Sequence, residues 1–261
     1  LKQGLSLNQP GPDQSMDKST TRDIFENFQT NLLPLKNNRF EFLLWEKDKA
    51  SLNSMSFLLD DTQKAVADTV FSLQTNKKNV SAKIKSLPPK WQKHPVVMYA
   101  RFEWRIRNNL RDSALQVLEN YSTSATHLSQ PSKWAFRREA LARDLMFDEE
   151  YARAYEISSK HYLETGDTYA VLEWLSGYLA LEKLKNTELA LKHFKNFLLS
   201  VDAPISLGRG FYWLGRTYEQ QGKMDTAKQI YQIGADRWET YYGLLAAEKV
   251  GLTVDKTVLN T

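Results

Sequence analysis

The sequence predicts an all-α protein made of stacked helix pairs. Apolar residues recur at helical spacing along most of its 261 residues. No segment shows the two-residue alternation of a β-strand or an Asn-Gly hairpin turn. Small residues also recur at the regular intervals typical of repeated helix pairs. We therefore expect a right-handed α-superhelix of about six or seven pairs, at one pair per roughly 35 residues. The pattern leaves open whether the superhelix curves into a partial ring.

The helical repeat domain is predicted to span residues 20–251. Residues 1–19 mix Pro, Gly, Ser and Asn with few large apolar groups, which is typical of a flexible tail or linker. Residues 252–261 are expected to begin a second linker. Thr20 or Thr21 is expected to cap the first helix. Its apolar residues are Ile24, Phe25, Phe28 and Leu32, and Pro34 is expected to end it.

The next part of the chain carries three further signals. Residues 40–45 form a short amphipathic segment. Asp60 or Asp61 is able to cap a helix whose apolar residues recur at helical spacing. These are Ala65, Val66, Val70, Phe71 and Leu73. Two prolines at 88–89 then break the pattern, and the helical signal is nearly continuous from Val96 onward.

Four alanines mark the second helix of successive pairs. They are Ala114, Ala152, Ala190 and Ala227, at intervals of 38, 38 and 37 residues, slightly above the roughly 34 of a tetratricopeptide unit. Apolar or aromatic residues follow several of them at +3 and +4, and the Ala152 copy is the weakest. A tryptophan lies in the helix before each alanine, namely Trp104, Trp134, Trp174 and Trp213. We interpret Trp104, Trp174 and Trp213 as interior residues that share one phase of the repeat; the alternative is that their rings stack against sugar rings.

The hairpin from Leu214 to Gly234 is the most regular copy. It has tetratricopeptide spacing at Leu214, Gly215, Tyr218, Gly222, Ala227 and Tyr231. Gly215 and Ala227 are expected to face each other, because small side chains let two helix axes approach closely. Gly222 is expected to form the turn.

Composition and charge exclude several classes of site. Without Cys, the chain has no disulfide, thiolate metal site or cysteine nucleophile. No apolar run approaches the roughly 20 residues of a membrane span. The net charge is +4, and no acidic residue occurs between Asp68 and Glu103. This basic stretch forms either a solvated face or a contact with an anionic partner. Its cations are Lys77, Lys78, Lys83, Lys85, Lys90, Lys93 and Arg101.

No cofactor or metal site is predicted. The four histidines are isolated in the sequence, without HExxH or paired spacing; they are His94, His127, His161 and His193. There is no GxGxxG motif or phosphate-binding loop, and close packing explains Gly208 and Gly210. Nucleic-acid binding is disfavoured, because the basic stretch lacks Arg clusters and a recognised fold motif.

Four segments resemble the soluble lytic murein transglycosylases. They read WAFRREALAR (134–143), EWLSGYLAL (173–181), PISLGRGFYWLGR (204–216) and YYGLLAAEKVG (241–251). Their order and separations are similar to those of the repetitive helical domain that precedes the catalytic domain in that family. His193-Phe194 also lies where the family carries a similar pair. The resemblance is strong from about Val96 to Gly251 and diffuse before that.

The resemblance implies a periplasmic protein of a Gram-negative bacterium. The chain begins at Leu1 rather than Met, and we expect that a signal peptide has been removed. In the family, a lysozyme-like domain docks on the helices and cleaves glycan strands between N-acetylmuramic acid and N-acetylglucosamine, leaving a 1,6-anhydro product. The implied partners are peptidoglycan glycan strands and the family's linker and catalytic domains. No nucleic acid and no transmembrane segment are expected.

The family's catalytic motif is absent from these 261 residues. The catalytic Glu of the family is followed by Ser, and the sequence contains no Glu-Ser dipeptide and no Gly-Leu-Met-Gln segment. The sequence also stops ten residues after Gly251, where the family continues toward its catalytic domain. We predict that the isolated chain releases no anhydro-muropeptides from purified murein sacculi, as measured by chromatography of the soluble products. Release of such products would contradict this prediction.

Four residues are candidates for substrate or interdomain contact. Arg209 and Arg216 lie two helical turns apart and share a face. They would meet the carboxylates of murein stem peptides or pair with groups such as Glu219. Tyr241 and Tyr242 follow the last full repeat and are candidates for a surface or interdomain role. The alternative function is a helical-repeat scaffold whose concave face binds a protein partner.

Overall fold

The computed structural model describes residues 18–28, 32, 35–77 and 79–252, and these ranges form helices and turns without a strand. The all-α prediction is therefore confirmed for this part of the chain. The predictions for residues 1–17, for Pro34 and for the linker beyond Leu252 lie outside the described residues. The chain divides into two compact units, Leu1–Ala114 and Leu115–Thr261. Within the described ranges, no helix is both long enough and apolar enough to cross a membrane.

The first unit begins with a short helix and continues through six more described helices. They are α1 (Lys18–Asn27), α2 (Lys36–Trp45), α3 (Lys49–Ser54), α4 (Asp61–Gln74), α5 (Val80–Ser86), α6 (Pro89–Gln92) and α7 (Pro95–Arg107). A 3₁₀ turn lies at Ser56–Leu58, and α8 (Arg111–Tyr121) continues into the second unit. Thr20 and Thr21 lie inside α1, so the predicted cap was wrong. Threonine is only a mildly unfavourable helix residue, and its capping preference is readily overridden.

The capping and proline signals downstream are confirmed. The Asp60 carboxylate accepts the N–H of Gln63 at 2.7 Å, and the Gln63 side chain accepts the N–H of Asp60 at 3.2 Å. This capping box satisfies two backbone donors that the first turn of α4 leaves unpaired. Helix α5 ends at Ser86, and α6 begins at Pro89. Proline is favoured at the start of a helix, because a residue in the first turn needs no partner for its backbone N–H.

Helices α2, α4 and α7 bury a common apolar core. Phe40 and Leu44 lie on α2, Val66 and Val70 on α4, and Val97 on α7. Each of these five side chains is at most 1% exposed. The two on α2 and the two on α4 are four residues apart, which is the spacing of one helical stripe. Burial of such side chains contributes roughly 1.5–3 kcal/mol each.

The second unit consists of helices that pack on their neighbours in the chain. They are α9 (Ala125–Leu128), α10 (Pro131–Phe147), α11 (Tyr151–Ser159), α12 (Asp167–Tyr178), α13 (Thr187–Leu199), α14 (Pro204–Gln220), α15 (Met224–Ala235) and α16 (Tyr241–Lys249). A π-helical segment, Leu179–Lys183, extends α12. Helix α10 packs on α11, α12 on α13, and α14 on α15. These contacts are those of a helical-repeat fold.

The alanine repeat is present with one change of register. Ala114, Ala190 and Ala227 are each the fourth residue of α8, α13 and α15, and each is at most 2% exposed. In α11 the fourth residue is Ala154, which is completely buried, whereas Ala152 is exposed. The assignment of Ala152 was therefore wrong, because residues two apart on a helix cannot share one face. Buried residues follow Ala154 at +3 and +4, namely Ile157 and Ser158.

Trp104, Trp174 and Trp213 do not all share one phase, which corrects a second prediction. Trp104 and Trp213 are the tenth residues of α7 and α14, whereas Trp174 is the eighth residue of α12. Trp134 is completely buried and Trp213 is 9% exposed, whereas Trp104 and Trp174 are half-buried. The difference of two positions turns Trp174 by about 200° relative to the other two, since each residue turns the helix face by about 100°. Trp174 therefore keeps an accessible face.

Helices α14 and α15 approach closely at Gly215. A Cβ on Gly215 would lie 2.5 Å from Cε1 of Tyr231, and its three nearest atoms all belong to that ring. Tyr231, and not Ala227, thus faces Gly215, which corrects the predicted pair. Ala227 is buried one helical turn earlier. Gly222 forms the predicted turn with φ at +73°, a backbone conformation that favours glycine.

Arg138 is a buried cation held by helix ends. Its side chain is 1% exposed; Nη1 donates to the carbonyl oxygen of Ile157 at 2.8 Å, and Nη2 to Oγ of Ser122 at 2.6 Å. Ile157 lies in the last turn of α11, and Ser122 directly follows α8. The negative ends of two helix dipoles therefore stabilise this guanidinium. Burial lowers the pKa of Arg138 to about 10, so it is charged at neutral pH.

Candidate functional site

Arg209 lies against the ring of Trp174 in the second unit. Its Cζ is 4.7 Å from the centre of the Trp174 ring and 5.8 Å from that of Phe197. The electron-rich face of an aromatic ring attracts such a cation. Burial lowers the pKa of Arg209, while the Tyr242 hydroxyl partly opposes this effect. Arg209 therefore offers a half-buried, fixed positive charge beside an aromatic face.

Trp174 belongs to a continuous layer of aromatic rings. It stacks on Tyr178, one turn later on α12, with ring centres 5.6 Å apart and planes 18° apart. Trp213 meets these two rings edge-on, at 6.2 Å and 5.3 Å. Tyr212 and Tyr242 continue the layer, with ring centres 5.5 Å apart. We call the more accessible part the aromatic–arginine cluster: Trp174, Tyr178, Arg209, Tyr241 and Tyr242.

Tyr241 and Tyr242 differ in their environments. Tyr241 is 68% exposed, whereas Tyr242 is half-buried and packs on Trp213 with ring centres 6.5 Å apart. The two tyrosine rings meet edge-on at 5.2 Å. Tyr241 is therefore a surface residue of the cluster, and Tyr242 connects it to the core.

Thr240 fixes the start of α16, the helix that carries Tyr241 and Tyr242. Its Oγ1 accepts the N–H of Gly243 at 3.1 Å and donates to the carbonyl oxygen of Arg237 at 2.8 Å. A Cβ on Gly243 would lie 1.8 Å from that carbonyl oxygen. A Cβ on Gly208 would lie 2.7 Å from Oγ1 of Thr240, and Gly210 is similarly close to α13. The close-packing interpretation of Gly208 and Gly210 is thereby confirmed.

Arg216 differs from Arg209 because it has carboxylate partners. Its Nη2 donates to Oε1 of Glu182 at 2.9 Å, and its Nε lies 3.9 Å from Oε2 of Glu219. Its guanidinium also lies 5.6 Å from the centre of the Trp213 ring. These contacts tie α14 to the π-helical segment. They support the structural alternative for Arg216 and leave Arg209 as the arginine of the cluster.

A buried polar network at Glu173 was missed in the sequence. Glu173, His161 and His193 are each 4% exposed. Nε2 of His161 lies 3.1 Å from Oε1 of Glu173, and Nδ1 of His193 lies 2.7 Å from Oε2. Nε2 of His193 lies 3.0 Å from the hydroxyl of Tyr155. His161 and His193, which are far apart in the sequence, therefore share one carboxylate in the folded chain.

The backbone determines where His161 carries its proton. The N–H of Leu163 donates to Nδ1 of His161 at 3.0 Å. Nδ1 is therefore unprotonated, and Nε2–H donates to Glu173. Burial by itself would raise the pKa of Glu173, but the hydrogen bonds from His161 and His193 outweigh burial and lower the pKa to about 2. Glu173 is thus a carboxylate whose two oxygens both accept histidine N–H groups.

The side chains of the Glu173 network are joined by hydrogen bonds. Within the part of the chain that the structure describes, no group of three or more His, Asp and Glu side chains is placed to hold a metal ion. Two features of the sequence could have indicated this network. Glu173 lies in the mostly apolar segment VLEWLSGYLAL, and His193 occupies the buried +3 position after Ala190.

Comparison with known proteins identified no relative of this chain. No protein-family model, curated protein or solved structure matches the chain. The resemblance to lytic murein transglycosylases therefore stays a prediction.

Proposed function

We propose that the chain is the non-catalytic superhelical domain of a periplasmic soluble lytic murein transglycosylase. It would hold peptidoglycan glycan strands and position a separate catalytic domain that cleaves MurNAc–GlcNAc bonds to 1,6-anhydro products. The aromatic–arginine cluster is the observation that carries the proposal. Segments 173–181, 204–216 and 241–251, which resemble the family, lie on α12, α14 and α16. These are the helices that build the cluster.

The chemistry of the cluster suits a peptidoglycan strand. Aromatic faces pack against the apolar faces of sugar rings, and sites for small ligands commonly combine aromatic walls with a few fixed polar groups. The guanidinium of Arg209 is able to bind a stem-peptide carboxylate through two parallel hydrogen bonds. Tyr241 supplies the most exposed ring of the cluster, at 68%. The proposed contact thus has one accessible stacking face and one cation.

Co-sedimentation with purified murein sacculi tests the proposal. We expect the wild-type chain to bind, and Tyr241→Ala and Arg209→Gln each to weaken binding by about fivefold. This corresponds to the loss of about 1 kcal/mol per contact. Because Tyr241 is exposed, removal of its ring should have little effect on folding.

Two variants serve as controls for this experiment. Phe147→Ala removes a ring that is 79% exposed and lies outside the cluster, so it should leave binding unchanged. Arg216→Ala should lower the melting temperature without changing binding per folded molecule, because Arg216 is paired with Glu182. The proposal fails if Phe147→Ala weakens binding as much as Tyr241→Ala, or if neither cluster variant weakens it.

The alternative proposal is a helical-repeat scaffold that binds a protein partner. Its support is a set of exposed apolar side chains in the second unit: Phe136 (70%), Phe147 (79%), Leu199 (87%) and Ile205 (65%). Single exposed apolar residues are common on soluble domains, so this observation carries less weight than the cluster. Failure to co-sediment with sacculi, together with binding to a purified partner that Phe147→Ala weakens, would favour the scaffold.

A further inference from the structure

A cavity in the first unit combines an apolar floor with a basic rim. Its volume is about 300 Å³, and residues of α3 and α4 supply most of its wall. Leu52, Leu59, Ala67 and Phe71 form the floor and are between 4% and 9% exposed. The lysines of the rim are Lys49, Lys64 and Lys77. An apolar pocket with a few convergent charges is the usual form of a small-molecule site.

Nearby carboxylates neutralise only part of the charge on this rim. Asp68 is the acidic residue among the described lining residues, and it is paired with Lys83. Lys64 is paired with Asp61, with the charged atoms 3.6 Å apart. Among the residues that the structure describes, no carboxylate forms an ion pair with Lys49 or Lys77. The rim therefore keeps a positive charge that an anion would balance.

A buried hydroxyl adds a polar group to the wall. Ser72 lines the cavity and is 1% exposed. Its Oγ accepts a hydrogen bond from Nζ of Lys83 at 3.0 Å, so its own proton is left to be donated to a ligand oxygen. Lys49 holds its Nζ 6.0 Å from the centre of the Phe71 ring, which places a cation directly beside the apolar floor. The cavity thus offers apolar contact, hydrogen-bond donation and positive charge together.

We propose that this cavity binds a small amphiphilic monocarboxylate. The apolar part of the ligand lies on the floor, and its carboxylate meets the lysines of the rim. A volume of 300 Å³ is that of about ten water molecules, so a ligand of about ten non-hydrogen atoms, such as octanoate, has a suitable size. This binding role belongs to the first unit and does not depend on glycan binding by the second.

Calorimetric titration of the full chain with octanoate tests the proposal. Acetate tests the carboxylate alone and 1-octanol tests the apolar part alone, and both should bind more weakly than octanoate. The double variant Lys49→Gln/Lys77→Gln removes two rim charges with little change in volume. We expect it to weaken octanoate binding by about tenfold while leaving 1-octanol binding unchanged.

The matched control is the double variant Lys85→Gln/Lys90→Gln. It makes the same charge change in the same unit, at exposed lysines outside the cavity, and should leave octanoate binding unchanged. Methyl resonances of Leu52 and Ala67 should shift when octanoate is added. The proposal is overturned if the control weakens binding as much as the rim variant, if acetate or 1-octanol binds as tightly as octanoate, or if those methyl resonances do not move.

Discussion

Replacement of Glu173 by Ala is expected to reduce the free energy of unfolding of the second unit by about 3 kcal/mol or more. The carboxylate accepts hydrogen bonds from His161 and His193 at a site where all three residues are 4% exposed. Its removal leaves two buried N–H donors without an acceptor. Each such donor is destabilising by about 1–3 kcal/mol. Urea denaturation followed by circular dichroism at pH 7 measures the loss.

Glu173→Gln should be less harmful than Glu173→Ala. The amide oxygen replaces the acceptor for His161, whose Nε2 must donate because Leu163 occupies Nδ1. His193 is able to move its proton to Nε2 and donate to the Tyr155 hydroxyl, so that Nδ1 accepts from the new amide. Glu182→Gln is the control, since it changes a partly exposed carboxylate and should lower stability by less than about 1 kcal/mol. Equal effects of Glu173→Ala and Glu182→Gln would show that the network does not stabilise the fold.

The low pKa of Glu173 gives this stabilisation a pH dependence of defined sign. The pKa is about 2 in the folded chain, against an ordinary value of 4.5. A carboxyl group with a lowered folded pKa stabilises the fold above its unfolded pKa, and its contribution is lost as the pH falls toward the folded value. The ionised Glu173 carboxylate therefore contributes about 3 kcal/mol to the free energy of unfolding at neutral pH. The stability difference between wild type and Glu173→Ala should narrow as the pH falls from 4.5 to 2, and a constant difference would contradict the assignment.

Gly243→Ala is expected to destabilise the corner between α15 and α16 by about 1–3 kcal/mol. Inside a helix this substitution normally stabilises by about 0.5–1 kcal/mol. Here the new Cβ would lie 1.8 Å from the carbonyl oxygen of Arg237. That oxygen belongs to the backbone and cannot rotate away, so the steric effect exceeds the gain in helix propensity. Thermal unfolding should show a lower melting temperature, and sacculus binding should fall because Tyr241 is displaced with α16.

Glu248→Ala provides the control on the same helix. Glu248 is exposed, so its truncation should change stability by no more than about 0.5 kcal/mol. A melting temperature of Gly243→Ala at or above that of the wild type would mean that the corner relaxes without strain. The close approach would then have no role in holding Tyr241 and Tyr242.

The cluster was predictable only in part. Arg209 was a candidate from the sequence because it shares a helix face with Arg216, and Tyr241 and Tyr242 were candidates because they follow the last full repeat. Trp174 was assigned to the interior, since its recurrence with other tryptophans suggested a seam position. The structure leaves it half-buried and in contact with Arg209. Its exposure depends on its exact position along α12 relative to α14, and a repeat of about 38 residues does not define that position to within one residue.

By itself, the sequence determined that the chain is helical, that Asp60 or Asp61 caps α4, and that Ala190 and Ala227 belong to the second helices of their pairs. Helical periodicity and capping act between residues three or four apart, so they can be read directly from spacing. Only the tertiary structure decided that His161 and His193 meet at Glu173, across separations of 12 and 20 residues. Those hydrogen bonds depend on how α12 and α13 pack and on the path of the chain after α11. Local spacing carries no information about such packing, because the helices first come together in the folded unit.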